Sequence, residues 1–577
     1  MKKSGAWLVR YALEQIGVKH TFGIPGVHNT EIYDELNKSE SIQPMLVTHE
    51  GGGAFMADAI SRTSTTIGTL LIVPAAGVTH ASSGIGEAFL DGIPMLVISG
   101  GIHTENGKTY QLHEMDQHAL LAPITKKTYK TLTHEEIIPA IFEAYRIANE
   151  GEPGPVFVEV PVNLQLFPGE IAELPVFCAE KAKTELDLEA IQRAAEALYA
   201  ADHPGLFVGW GAVDASQESI KIAEFLNAPV STTLQGLSAF PANHPLHTGM
   251  SFGYAAVPAA TNAFKNCDCM LAVATRFSEI ATASYGVNPP ENLIHVDINP
   301  KVFNANYPAA LTIEGDATAV LKALYKALQA LGEPKTTNIG LAAAIAADKQ
   351  AYLQEWYKHD SKGRVNPARF FTELRKQLND DAVMVADDGN HTFLCAELMP
   401  IHSPRGFISP TDFNCMGYCA PAATAVKLVN PDKQVVGIIG DGAFLMTCME
   451  TLTASANALG VVYFIFSDGE LSQISQAQEI PYNRKICTVL PTIKLKGISD
   501  ATGCEFIHIE TDADLAAGIQ HALELAAANR PVIVDVNIDY SKRTRFTKGA
   551  VKSNLGRFSG ANKARFIGRS LFRKVTG

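Results

Sequence analysis

Apolar residues fall along this chain in short runs, separated by longer stretches in which Ala, Leu and Glu recur with helical spacing. The runs are rich in Val, Ile and Phe, and their alternation with helical stretches is the βαβ pattern of a parallel sheet. Up to about residue 170, strands are predicted at 21–24, 45–48, 68–73, 94–99 and 156–160. An amphipathic first helix precedes them, its apolar stripe made by Ala6, Leu8, Tyr11, Ala12 and Ile16. The segment PVNLQLFPGEIAELPVF is Pro-punctuated and reads as a linker. A second region, about 188–335, carries the strand-like runs GLFVGWG, APVSTTLQG, CMLAVATRF and NLIHVDINP, and closes in a second linker, EPKTTNIG. A third, about 364–540, carries AVMVADDG, QVVGIIGDG, VVYFIFSDG and PVIVDVNID, so apolar that both sheet faces must be covered. The expected fold is α/β: three doubly wound parallel-sheet domains at 1–170, 188–335 and 364–540, then a tail, 541–577, whose Gly556, Gly560 and Gly568 argue against a steady helix.

Composition narrows the function. A chain of 577 residues is too long for one core. A formal net charge of −13 argues against nucleic acid as a main partner. The charge is uneven: from Tyr540 to the end there are eleven Lys or Arg and no acid. That leaves about −24 on the remainder. With Phe558, Phe566, Ile567, Leu571 and Phe572, this tail suggests contact with an anionic membrane, but a flap or solubilising end is the preferred reading. No apolar run is long enough to span a bilayer. Nine scattered Cys, without zinc-like spacing, fit a reducing cytoplasm and no disulfide framework.

In open parallel sheets, ligands sit beyond the carboxyl ends of the strands. Two such ends in the third region stand out. QVVGII runs into Gly440, Asp441 and Gly442, and VVYFIF runs into Ser467, Asp468, Gly469 and Glu470, with 24 residues between Gly442 and Ser467. One helix and one strand fill that interval, so Asp441 and Asp468 should stand on adjacent strand ends, offering hard oxygen ligands to Mg²⁺ or Ca²⁺. An Asp-Gly pair alone ordinarily marks only a turn, but here a helix and not a pairing strand follows.

This spacing resembles the signature of the thiamine-diphosphate enzymes of the acetolactate synthase, pyruvate decarboxylase and pyruvate oxidase type, in which Gly-Asp-Gly is followed at 24 to 27 residues by Asn-Asn. The first domain would then be pyrimidine-binding and the third diphosphate-binding. Asp441, Asp468 and the Glu470 carbonyl are implied as metal ligands, with Gly440, Gly442 and Ala443 beside the cofactor. Ser467 and Asp468 replace the two Asn, adding a negative charge. NCMGYCAP, 414–421, resembles the segment that bends the cofactor, with Asn414 against it and Met416 as the wedge. Gly389, Asn390 and His391 match the diphosphate loop. Glu50, after the run PMLVT and before GGGAFMADAI, stands where the family has its catalytic Glu. A carboxyl there promotes the aminopyrimidine tautomer by which the cofactor activates itself. Phe22 to Gly26, Pro74 to His80 and Pro123 to Lys126 extend the resemblance, placing Gly26 at the cofactor.

The pocket departs from the biosynthetic synthases. Gln473 and Ala477 replace a Met and a Trp, and Leu112 and His113, or Tyr110 and Gln111 if two residues are inserted, stand at a Phe-Gln pair. His28, His80 and His113 are expected on strand-end loops, suited to proton relay. Arg276 and Phe277 resemble part of a flavin motif, but Ser278 breaks it, and Met250 to Gly253 departs too, so FAD is expected to be absent. The reading is decarboxylation of a 2-oxo acid, pyruvate first, with carboligation to a second carbonyl. The alternatives are a simple decarboxylase, an acyloin or diketone lyase, and a flavin-linked oxidase at a membrane. Because Glu50 and Asp441 lie in different domains, the family resemblance implies a homodimer or homotetramer.

Overall fold

Along Gly68–Ile72, Met95–Gly101 and Pro155–Pro161 every residue is buried. Strands of this kind need layers on both faces. The computed structural model describes residues 1–179, 185–336 and 338–576. It holds three six-stranded sheets, all parallel. The first runs Gln43–Leu46, His20–Gly23, Gly68–Ile72, Met95–Gly101, Pro155–Pro161, Lys127–Lys130 across its width. The third runs Phe407–Ile408, Val383–Ala386, Val435–Gly440, Val462–Ser467, Val532–Asn537, Glu505–Ile509. Numbered within each sheet, both have the order 2-1-3-4-6-5. The central sheet differs, with the order 3-2-1-4-5-6 from Pro204–Val208 to Leu311–Glu314. That is the dinucleotide-fold order, whose switch point lies between its first and fourth strands.

The first and third sheets share one core. Helices Glu50–Thr63 and Cys419–Val429 lie between them, with the Phe55 and Tyr418 rings 5.5 Å apart, edge to face. Close approach is built in: a Cβ on Gly84 would stand 2.4 Å from that of Ala54. Arg62, fully buried, ties this layer together. Its Nε donates to Asp58 Oδ2 at 2.7 Å and its Nη2 to Asp91 Oδ2 at 2.9 Å, while the Tyr418 hydroxyl donates to Asp58 at 2.6 Å. Arg405 bridges outward, with Nε and Nη2 on the Asp214 carboxylate at 3.0 and 2.7 Å.

Three expectations need correction. The first linker contains a short helix, Val162–Leu166, and a strand, Pro168–Glu170, which pairs antiparallel with Lys2–Ser4 and ties the N-terminus down. The second linker leads straight into a 17-residue helix, Leu341–Tyr357, whose Trp356 is fully buried; its Thr337 lies outside the described residues. The tail is helical, at Arg545–Arg557 and Gly560–Thr576, with Gly556 and Gly568 inside those helices. Tertiary contacts overrule their low propensity: Phe546 stacks on Phe393 at 4.9 Å, and Arg573 donates to the Pro481 carbonyl at 2.9 Å. All nine cysteines are free thiols, and no described helix is long and apolar enough to cross a membrane.

Glu87, on the helix that ends at Asp91, is buried beside Asp91 and Asp58, and burial first, then Asp91, push its carboxyl from the ordinary 4.5 up to about 9. Asp387 and Glu397 are each pushed to about 7 by burial. A carboxyl raised in the folded state takes up a proton on folding, so its contribution is whole below its unfolded value and is lost as pH rises through the folded one. Urea unfolding followed at a series of pH values should therefore show stability falling from about 4.5 to about 9, the range set by Glu87. A flat profile across that range would contradict the buried, proton-bearing Glu87.

Candidate functional site

Strands Val435–Gly440 and Val462–Ser467 pair in parallel, with Gly440 opposite Phe466, so Asp441 and Asp468 emerge side by side at the carboxyl edge. Asp441 joins the two ends. Its Oδ1 accepts from the Gly442 amide and its Oδ2 from the Gly469 amide, both at 2.8 Å. Burial raises its carboxyl above the ordinary range. Asp468 accepts from the Glu470 amide at 3.3 Å and from the Ser472 hydroxyl. Burial, with the Asp441 charge against the Ser472 hydroxyl, pushes it to about 6. The Glu470 side chain turns to Lys485 Nζ and to the Ser475 hydroxyl, each at 2.5 Å. Burial alone would raise Glu470, but these two partners lower it overall.

Facing these carboxylates is the loop after Val383–Ala386. Gly389, at φ 150°, turns the chain into helix Asn390–Leu398, and a Cβ there would meet the His391 ring at 2.7 Å. Asn414, in the left-handed region at φ 66°, and Met416 come from the loop that precedes helix Cys419–Val429. Together they enclose a cavity of about 200 Å³, and the expected Gly389, Asn390, His391, Asn414, Met416, Gly440, Gly442 and Ala443 all line it beside Asp441, Asp468 and Glu470. Three polar atoms around it are buried without a partner: His391 Nε2, Gln473 Oε1 and the Tyr540 hydroxyl. Burial pushes the His391 imidazole down to about 3, so it is neutral. Buried polar groups are ordinarily paired, so an orphaned set around a cavity marks groups that await a polar ligand. Two acidic oxygen donors beside that set fit a divalent cation carrying a polyanion.

Glu50 opens helix Glu50–Thr63 and is 6% exposed. Its Oε2 lies 2.9 Å from His80 Nδ1, and the His80 ring stacks on His49 at 4.6 Å. His80 is not on a loop as expected. It lies within helix Ala76–Asp91, because the helix starts soon after Gly68–Ile72 ends. His28 and His113 do come from loops, with their Nδ1 atoms 3.2 Å apart. Burial, then His113, lowers His28 below the usual imidazole value. The three histidines therefore form two arrangements, one on Glu50 and one between loops. Gly26 lies in the His28 loop, its amide donating to Asn29 Oδ1 at 2.7 Å.

Sequence reasoning missed Tyr540, Asp388 and Glu450. Tyr540 stands at the boundary between the third region and the tail, and Asp388 sits beside Gly389, where burial pushes its carboxyl to about 6. Glu450 left no signal. Its Oε1 accepts from the Thr48 amide and hydroxyl and the His49 amide, at 3.0, 2.6 and 3.0 Å, fixing the turn that presents Glu50 from about 400 residues away.

A larger cavity, about 770 Å³, opens at the switch point of the central sheet, lined by Gly209, Thr233, Ala274, Arg276 and Asp316. Its guanidinium groups are committed: Arg276 to Asp412 at 2.8 Å and Glu152 at 3.3 Å, Arg405 to Asp214. Asp297 and Asp316, each accepting only a backbone amide, also face it. An acid-rich lining without a free cation fits a flavin pyrophosphate poorly.

Paired sheets of one order, each with a carboxylate-bearing edge, about a central dinucleotide-type sheet define an α/β enzyme built around a diphosphate-bearing cofactor. Comparison with known proteins gives the same answer. Residues 3–120, 191–324 and 387–536 match the N-terminal binding domain, the central domain and the C-terminal binding domain of the thiamine pyrophosphate enzymes. The chain is 30% identical to the probable acetolactate synthase large subunit of Methanocaldococcus jannaschii, over 93% of this chain and 92% of the relative. It is equally 30% identical to the large subunit from Haemophilus influenzae, over 94% and 96%, and to that of isozyme 3 from Escherichia coli, over 93% and 95%. The chain belongs to the thiamine pyrophosphate enzyme family, on its acetolactate synthase-like side.

Replacing Asp441 by Ala removes both a carboxylate at the strand end and the bridge to Gly469. Calorimetric titration with thiamine diphosphate and Mg²⁺ should show binding weakened by more than about 100-fold. Binding within a fewfold of the wild type would exclude Asp441 as a ligand.

Proposed function

We propose that the protein decarboxylates a 2-oxo acid, pyruvate first, and joins the remaining fragment to a second carbonyl compound, using thiamine diphosphate held by Mg²⁺. The observation that carries this reading is the cavity with two acidic strand ends and three orphaned polar atoms, set on the strand-end spacing of the family. Asp441, Asp468 and the Glu470 carbonyl are the metal ligands in this reading, and His391 and Asn390 meet the diphosphate. Bound there, the cofactor supplies the carbon nucleophile and the electron sink for decarboxylation. Everything else falls to side chains of the chain. Glu50, held by His80 and by the turn that Glu450 fixes, offers a desolvated carboxyl to the aminopyrimidine ring. His28 and His113 share a proton between facing Nδ1 atoms, a pair able to give one to a carbonyl oxygen and recover it. Met416 supports the bend between the cofactor rings. Gln473, with its free Oε1, gives the acceptor side a polar lining in place of bulk.

The cavity is lined by residues between 388 and 540, and Glu50 is not among them. Beside it, Leu445, Met446, Met449 and Leu452 are 40 to 58% exposed. An apolar stripe next to a half-built site is the mark of an interface. We therefore read the working unit as a homodimer at least, with Glu50 of one copy facing Asp441 of another. No flavin enters the reaction, in keeping with the acidic central cavity. A cytoplasmic setting fits the free thiols.

Incubation with pyruvate and candidate oxo acids or aldehydes, followed by mass analysis, should show CO₂ and a ligated hydroxyketone. Free aldehyde alone would assign a simple decarboxylase instead, and no turnover of any 2-oxo acid would end the reading. Glu50→Gln should keep cofactor affinity while turnover falls by about 10² to 10⁴; a variant retaining most of its turnover would remove Glu50 from the role. Mixing Glu50→Gln with Asp441→Ala chains under conditions of subunit exchange should restore part of the activity, since mixed pairs rebuild one intact site; no recovery in verified mixed dimers would place the site within one chain. Purified protein should show no flavin absorbance, and a yellow preparation would overturn the assignment of the central cavity.

A further inference from the structure

A third cavity, of about 200 Å³, lies apart from both sites, where strand His247–Met250 and helix Pro258–Ala263 meet helix Leu341–Tyr357 and the end of helix Asn390–Leu398. Its wall is largely aliphatic, including Leu237, Val257, Leu353, Leu398 and Ile401. Two nitrogen-bearing side chains interrupt it. Lys349 Nζ stands 3.3 Å from His247 Nδ1 and 3.4 Å from the Ala242 carbonyl. An ammonium only donates, so Nδ1 of His247 accepts and the ring proton sits on Nε2. That Nε2 is buried without a partner, on a side chain 6% exposed.

The carboxylates nearby are already engaged. Glu397 accepts from the Tyr352 hydroxyl at 2.5 Å and from the Phe546 amide at 2.8 Å, and Asp348 accepts from Asn262 Nδ2 at 2.8 Å. Among the described residues Lys349 forms no ion pair, and burial alone pushes its ammonium down to about 8. A desolvated cation beside an orphaned N–H is a site short of an anion. The space is below the roughly 300 Å³ at which drug-sized ligands begin, so the anion is small.

We propose that this cavity binds a short aliphatic carboxylate, its charged end on Lys349 and His247 and its alkyl end among Leu237, Val257 and Leu353, as a regulatory ligand. The route to the active site is one element. Helix Asn390–Leu398 closes this cavity with Ala396, Glu397 and Leu398, and opens at Asn390 and His391 on the cofactor pocket. Any shift that the ligand imposes on cofactor affinity through this helix is returned in equal measure by the cofactor. The binding is independent of the reaction assigned above; the coupling rests on it.

The test is calorimetric titration of the cofactor-loaded full chain with isovalerate and with isoamyl alcohol, its uncharged counterpart. Isovalerate should saturate one site per chain, the alcohol should bind at least about tenfold more weakly, and Lys349→Met should weaken isovalerate by a similar factor. Ala396→Leu, which fills the cavity without altering charge, should do the same and keeps the test open if Lys349→Met fails to fold. No saturable binding, equal binding of the alcohol, unchanged binding in both variants, or full displacement by pyruvate would each overturn the site. Saturating isovalerate should change the apparent thiamine diphosphate affinity of the wild type at least about threefold, and not that of Lys349→Met. Equal cofactor affinities would overturn the coupling and leave the site and the reaction standing.

Discussion

The loop from 409 to 419 brings two residues, Asn414 and Met416, to the strand-end cavity and has little regular structure of its own. It is fixed by buried carboxylates that accept its backbone amides. Glu87 takes Thr411 and Cys415 at 3.2 and 3.1 Å, Asp91 takes Asp412 at 3.0 Å, and Asp387 takes Gly417 and Cys419 at 2.8 Å. Glu87 and Asp91 belong to the first sheet's helix and Asp387 to the third sheet's strand end, so the loop is positioned by both at once. One guanidinium, Arg62, cannot balance Asp58, Asp91 and Glu87 together. The proton held by Glu87 to about 9 supplies the missing neutralisation. Breaking such a centre by removing one partner typically costs about 3–5 kcal/mol. A rigid loop is therefore obtained at the expense of a charge-dense interior.

The same economy explains how the two catalytic regions are kept in register. Glu50 is presented by a turn that has no strand partner at its end, and Glu450 replaces that partner by accepting two amides and a hydroxyl. Glu450 sits at a break: the expected single helix after Gly442 divides into Asp441–Thr447 and Thr451–Ala456, with a short turn of 3₁₀ helix between them. A straight helix would carry position 450 on a different face from its neighbours. The break turns it toward Thr48 and Thr453 and leaves Met446 and Met449 outward.

What could be read in the sequence follows the same physics. The interior strands announced themselves, because burial on both faces demands unbroken Val, Ile and Phe, as in VVYFIF. The strands that escaped, Lys127–Lys130, His247–Met250, Leu311–Glu314, Phe407–Ile408 and Glu505–Ile509, all lie at sheet edges. KTYK and EFIHI are partly solvated and carry no apolar run, while FI and HTGM, though largely buried, are too short to show one. The residues around the cofactor cavity were legible because phosphate and metal chemistry ties residue type to strand ends. Glu450, Glu87 and Lys349 were not, because their partners lie a domain away and nothing local requires a charge there. The tail helices were misjudged for the converse reason: glycine lowers intrinsic propensity, and contacts with Phe393 and Pro481 decide the outcome.

Asp468 brings these threads together. It, Asp441 and Asp388 are all held above their ordinary values by burial, and the nearest ammonium, Lys485, is spent on Glu470. Three desolvated carboxyls make an edge that is costly by itself. A divalent ion bound there would relieve two of them, and the anionic oxygens of a diphosphate would then meet His391, whose Nε2 has no partner. Asn at position 468 would ease the first step and weaken the second. With Asp in its place, an ion and an anion bound at this edge would depend on each other, so that it would be filled by both or by neither.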